Sequence, residues 1–110
     1  MTREQPFPIQ PEPEGRIVHG GGHDYHVITL GPDDAEAPGT LFLHGGGPGC
    51  SAWTDFGPVA PLFAKSRRCQ LVDLLQYGKS DKSPLNGPRW SYCAKSLIGL
   101  LDELGEDRVD

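Results

Sequence analysis

The feature that most constrains the fold is a short run, Thr40-Leu41-Phe42-Leu43-His44, which passes directly into Gly45-Gly46-Gly47-Pro48-Gly49. A strand with one wet face alternates apolar and polar residues. This run does not, and so predicts a strand covered on both faces, as in a parallel sheet. The glycines after it have no side chains to hold a ligand away, so their backbone amides can approach one closely. Such donors stabilise the negative oxygen of a tetrahedral intermediate, and loss of one costs about 3 kcal/mol. The bland alternative is a tight turn that merely uses glycine. Its place at the end of a buried strand, between His44 and Pro48, favours the functional reading.

The neighbouring segments extend the same architecture. Arg16 to His19 and Tyr25 to Leu30 suit strands, and Gly20-Gly21-Gly22 between them predicts a hairpin. Gly31 to Gly39 reads as an acidic turn-rich loop. Trp53, Phe56, Val59 and Phe63 recur at helical spacing. Pro58 is placed to open that helix, while Pro61 predicts a short or irregular first turn. Cys69 to Asp73 reads as the next buried strand, and Leu74 to Arg89 as a long connection. Trp90, Ala94, Leu97, Leu101 and Leu104 share one helical face, with Gly105 as the terminating glycine. Arg108-Val109-Asp110 reads as the first step of a further strand. Strands alternating with helices imply an α/β class with a parallel sheet.

Composition narrows the function. The 110 residues suffice for one small domain, and 15 glycines with 11 prolines favour a loop-rich chain. The formal net charge of -5 and the lack of any basic run beyond Arg67-Arg68 argue against a nucleic-acid partner. No apolar stretch reaches the roughly 20 residues that span a bilayer. Residues 1–15, rich in proline and glutamate, predict a disordered arm before a domain over 16–110, and they lack the apolar core of a signal peptide. The expected compartment is the cytoplasm. Cys50, Cys69 and Cys93 form no CxxC and read as buried thiols.

Here the residues resemble a known family. His44 through Trp53, HGGGPGCSAW, is similar to the oxyanion loop of the meta-cleavage-product hydrolases, α/β-hydrolases that cut a carbon–carbon bond in 2-hydroxy-6-oxo-dienoates formed from aromatic rings. The similarity continues through Trp53-Thr54-Asp55-Phe56, through Asp73 to Asp81, and through the helix ending Leu100-Leu101-Asp102-Glu103-Leu104-Gly105, and so covers roughly residues 24–110. It implies an incomplete α/β-hydrolase fold: the N-terminal strands and first two helices of the sheet, ending before the nucleophile elbow. It places the oxyanion amide on Gly46, with His44, Gly45, Gly47, Pro48 and Gly49 supporting the loop and Asp55 beside the substrate. It implies no cofactor and no metal.

Two positions depart from the family pattern. Asp55 stands where the family has an asparagine, and a carboxylate cannot donate as an amide does. The usual Asp-x-Pro-Gly-Tyr-Gly-x-Ser reads Asp73-Leu74-Leu75-Gln76-Tyr77-Gly78-Lys79-Ser80, which puts Leu75 for proline and Gln76 where glycine would permit the turn. The catalytic residues are also missing: no Gly-x-Ser-x-Gly occurs, and the family's acid and base lie later in chain order. The sequence therefore predicts an N-terminal fragment, inactive by itself, that meets a small-molecule substrate only with its C-terminal half. In the family fold the strand at Thr40 pairs with the one after Arg108, so a piece cut there exposes an apolar edge and is expected to fold poorly. A full-length form is compatible with homo-oligomers.

The alternatives are an esterase or proline-iminopeptidase-type hydrolase fragment, and a non-catalytic remnant or assembly partner. His19, His23 and His26 with Asp24 invite a metal reading, against which ordinary hairpin residues are favoured. Cys50 with His44 as base is set against simple packing of the thiol. Gly78-Lys79-Ser80 is no phosphate loop, because Asp73 stands where the motif needs glycine.

Overall fold

The computed structural model describes residues 10–34 and 36–110. The arm expected over 1–15 therefore lies outside the described residues for its first nine. Strands β1 (Arg16–Gly20) and β2 (His23–Leu30) form the antiparallel hairpin, in register from Arg16 opposite Val27 to Gly20 opposite His23. Its turn needs glycine twice over. Gly21 and Gly22 have φ of 61° and 83°, and a Cβ on Gly21 would lie 1.9 Å from the Ser96 carbonyl oxygen.

Strand β3 (Thr40–Leu43) is followed by two short helices, α1 (Ala52–Phe56) and α2 (Ala60–Phe63), then by β4 (Cys69–Val72) and the long helix α3 (Arg89–Leu104). The sheet order is β1-β2-β4-β3, with β2 antiparallel and β3 parallel to β4. Alternate residues of each strand supply opposite faces. Ile28, Phe42, Cys69 and Leu71 pack with Trp53 and Ala60 under α1 and α2, whereas Val18, Tyr25, Val27 and Val72 pack with Leu100 of α3. All four residues of β4 are buried because both faces above it are covered.

Strand β3 departs from its expected burial. Phe42 is buried, but Leu43 is 45% exposed. The cause is position: β3 is the last named strand of the sheet. Along its outer side Asp110 N–H donates to Gly39 O at 2.9 Å and Leu41 N–H to Asp110 O at 2.8 Å, with a parallel bridge between Gly39 and Val109. The segment read as a further strand thus begins beside β3, as expected.

The helices also differ in detail. The predicted single helix divides, because Gly57 and Pro58 separate α1 from α2. Ser51 caps α1 in a reciprocal box with Thr54, and Pro61, not Pro58, sits in the first turn of α2, where its missing donor loses nothing. On α3 the buried positions are Ser96 and Leu100, while Trp90 is 68% exposed. The face is rotated from the predicted stripe because the hairpin turn at Gly21 packs on Ser96. Gly105 ends the helix as predicted, with φ of 76°.

A nearly buried ion pair closes the end of the sheet away from the glycine loop. Arg68 grips Glu106 through Nη2–Oε1 at 2.6 Å and Nε–Oε2 at 2.8 Å, and Gln70 Nε2 donates to Oε2 at 3.0 Å. Arg68, its first and largest influence, holds the Glu106 carboxyl below the ordinary 4.5.

Candidate active site

The glycine loop leaves the carboxyl end of β3 through His44, which is 5% exposed. His44 Nδ1 lies 2.7 Å from Gly45 O, and Nε2 lies 2.9 Å from Leu74 N. A carbonyl only accepts and a peptide N–H only donates. The ring is therefore neutral, with its proton on Nδ1 and its lone pair turned to Leu74. Both nitrogens are committed, so His44 has none left to activate Cys50, whose half-buried thiol sits beside Gly47.

Two more side chains hold the loop. Asp55, on α1, accepts the Gly45 N–H at 2.9 Å through Oδ2. Tyr77 donates its hydroxyl to Gly46 O at 2.6 Å. Arg89 in turn donates Nη2–H to the Tyr77 hydroxyl at 3.0 Å and lies over the Trp90 ring at 5.3 Å. Every polar backbone atom of Gly45 and the carbonyl of Gly46 are thus tied down. The Gly46 N–H makes no hydrogen bond among the described residues. Further along, Gly47 O accepts the Cys50 N–H at 3.2 Å, and Gly49 takes φ of 79° after Pro48.

The aim of Tyr77 depends on Asp73, which is 4% exposed. One oxygen of Asp73 accepts the Ala52 N–H at 2.9 Å; the other accepts the Lys79 N–H at 3.1 Å and meets His26 Nδ1 at 3.0 Å. The carboxylate therefore joins the start of α1, strand β2 and the turn after β4. Ser80 completes the knot: its hydroxyl donates to Asp73 O at 2.5 Å and accepts the His26 N–H at 2.8 Å. Inside the turn, Gln76 is the one non-glycine residue with positive φ, at 79°, among the described residues. The departure noted at that position thus forces a left-handed conformation on a side chain.

The three hairpin histidines diverge. His19 faces Asp24 at 2.8 Å, His23 faces Asp81 at 2.6 Å, and His26 faces Asp73 at 3.0 Å. No group of three metal-binding side chains converges among the described residues. Sequence reasoning gave no role to Tyr77 or Arg89. Their signal was faint, since neither adjoins the glycine loop in the chain.

Comparison with known proteins decides the fold. No protein-family model matches the chain. A 2-hydroxy-6-oxononadienedioate/2-hydroxy-6-oxononatrienedioate hydrolase of Paraburkholderia xenovorans is 45% identical over 97 residues, 86% of this chain and 32% of that protein. A 2-hydroxy-6-oxo-6-phenylhexa-2,4-dienoate hydrolase of Burkholderia cepacia is 31% identical over 78 residues, 70% of this chain and 27% of the relative. Among solved structures, a serine hydrolase involved in carbazole degradation superposes with a TM-score of 0.76 at 23% identity, covering 87% of this chain and 36% of that one. A meta-cleavage product hydrolase (CumD) superposes at 0.73 with 22% identity, covering 82% and 32%.

The chain has part of the α/β-hydrolase fold. It corresponds to the N-terminal part of the meta-cleavage-product hydrolases and spans about a third or less of the length of the curated relatives it matches. Within an α/β-hydrolase, the glycine loop at the carboxyl end of β3 lies where ligands bind to such sheets. No described helix is long and apolar enough to cross a membrane.

Proposed function

We propose that this chain contributes the oxyanion-binding element of a cofactor-free hydrolase that cleaves a carbon–carbon bond in 2-hydroxy-6-oxo-dienoates from aromatic-ring degradation. One observation carries the reading: among the described residues the Gly46 amide is unengaged, in a loop where both polar backbone atoms of Gly45 and the carbonyl of Gly46 are fixed. A donor held in place before the reaction stabilises a developing oxyanion without reorganising, worth about 3 kcal/mol. The likeness to the nonadienedioate hydrolase supports the substrate class.

In this reading a serine nucleophile supplied outside these 110 residues attacks the substrate ketone. Gly46 N–H receives the negative oxygen while His44, Asp55 and Tyr77 keep the loop from turning. The charge of Asp55 is spent on Gly45 N–H, which turns the carboxylate toward the loop. The chain by itself does not turn the dienoate over.

The test is loss of a 2-hydroxy-6-oxo-dienoate in the presence of the chain alone, and of the chain joined to the C-terminal part of the Paraburkholderia relative. Turnover by the joined protein only supports the proposal. Hydrolysis of an aryl ester or a proline arylamide without the dienoate would favour the esterase or iminopeptidase alternative, and turnover by the chain alone would refute its inactivity.

A further inference from the structure

The three tyrosines of the chain differ in what faces the phenol. Tyr25 is 1% exposed, and its hydroxyl meets that of Ser96 at 2.7 Å. Tyr77 donates to a carbonyl. Tyr92, half-buried on the first turn of α3, meets His23 Nε2 at 2.6 Å, and Nδ1 of the same ring lies 2.6 Å from Asp81 Oδ2.

The protons in this chain of contacts can be placed. Asp81 also accepts the Ser83 N–H and hydroxyl, each at 2.8 Å. These donors, His23 first, hold its carboxyl down to about 2, so near neutral pH it is a carboxylate and only accepts. His23 Nδ1 therefore carries a proton. In the neutral ring Nε2 then presents its lone pair to the Tyr92 O–H. The imidazole is buried and packs edge-on against the Tyr92 ring with centroids 5.5 Å apart, which limits its rotation. Carboxylate, imidazole and hydroxyl in this order make a nucleophile of the hydroxyl, and a phenol releases its proton more readily than an alkanol.

We propose that Tyr92 is a nucleophilic site, with His23 as its general base and Asp81 orienting that base, which takes an acyl or sulfonyl group from an activated aryl ester or aryl sulfonyl fluoride. The Tyr92 oxygen forms a bond to the carbonyl carbon or the sulfur. The aryloxide or fluoride leaves with its bonding pair. The phenolic proton passes to His23 Nε2, and the imidazolium so formed stays against the Asp81 carboxylate. The product is an ester or sulfonate on Tyr92. The site shares no residue with the glycine loop, so it stands or falls independently of the hydrolase reading.

The test treats the chain with 4-nitrophenyl acetate and, separately, with an aryl sulfonyl fluoride, and locates the adducts by peptide mass mapping. General-base assistance commonly contributes 10²–10⁴-fold, so Tyr92 is expected to react at least about tenfold faster than Tyr77 in the same molecules. His23→Gln and Asp81→Asn should slow Tyr92 and leave Tyr77 unchanged. Equal rates at Tyr92 and Tyr77, or an undiminished rate at Tyr92 in His23→Gln, overturn the proposal. If the variants do not fold, the native chain decides. Its Tyr92-to-Tyr77 ratio should fall to about one in urea, and a ratio that survives unfolding is equally fatal.

Discussion

His44 Nε2 accepts the Leu74 N–H at 2.9 Å across thirty residues of sequence, and this bond joins the loop after β3 to the loop after β4. It makes the histidine a brace rather than a base, since the other nitrogen already serves Gly45 O. His44→Ala would leave the partly buried Leu74 N–H without a partner. The expected loss is about 1–3 kcal/mol of stability, read from urea unfolding. A loss within experimental scatter would mean that the two loops are held by something else.

Asp55 offers a cleaner separation of charge from geometry. An asparagine can still accept the Gly45 N–H through its carbonyl oxygen, whereas alanine cannot. Asp55→Ala is expected to speed Gly45 amide hydrogen exchange by about tenfold, the equivalent of about 1.4 kcal/mol, with Asp55→Asn close to wild type. Exchange that is unaltered in the alanine variant would remove Asp55 from the loop's support.

Gln76 holds φ of 79°, a conformation that disfavours any residue with a Cβ. Its side-chain amide also donates to Ser83 O, so the glycine variant alone would mix two effects. Comparing Gln76→Ala with Gln76→Gly isolates the backbone. Glycine is expected to be more stable than alanine here by about 1 kcal/mol. The reverse order in thermal unfolding would show that the turn is not strained.

Acid should weaken the fold through identifiable carboxylates. The folded-state pKa of Glu106 lies below its ordinary 4.5, chiefly because of Arg68, and Asp81 falls from 3.8 to about 2, chiefly because of His23. Both are depressed, so the stability they supply is fully present above the ordinary values. It is lost as pH falls through the folded ones. Stability measured between pH 6 and pH 2 should drop below about pH 4.5, and Glu106→Gln should flatten the upper part of that drop. An unchanged slope in the variant would exclude Glu106 as a contributor.

The elements with a strong local signal were legible before any tertiary contact was known. The hairpin follows from glycines that alone tolerate its turn, β4 from an apolar run, and the end of α3 from Gly105. The glycine loop was legible for the same reason: its conformation resides in the backbone, and absent side chains are visible in a sequence. Helix division was less so, because Pro58 and Pro61 are each acceptable in a first turn and only packing of Trp53 and Ala60 beneath the sheet chose between them.

What the sequence determined by itself was therefore the order of strands and helices, the glycine loop that follows β3 and the awkward residue at Gln76. Each is a property of the local backbone or of consecutive side chains. Only the tertiary structure decided which groups hold that loop and what each histidine faces. Asp73 reaches Ala52, His26 and Lys79 through hydrogen bonds that span 21, 47 and 6 residues. His23 finds Asp81 and Tyr92 across 58 and 69. Bonds of that span depend on how β2, β4 and α3 are stacked, and hydrophobic burial on both faces of the sheet sets that stacking with no mark at the residues that end up in contact.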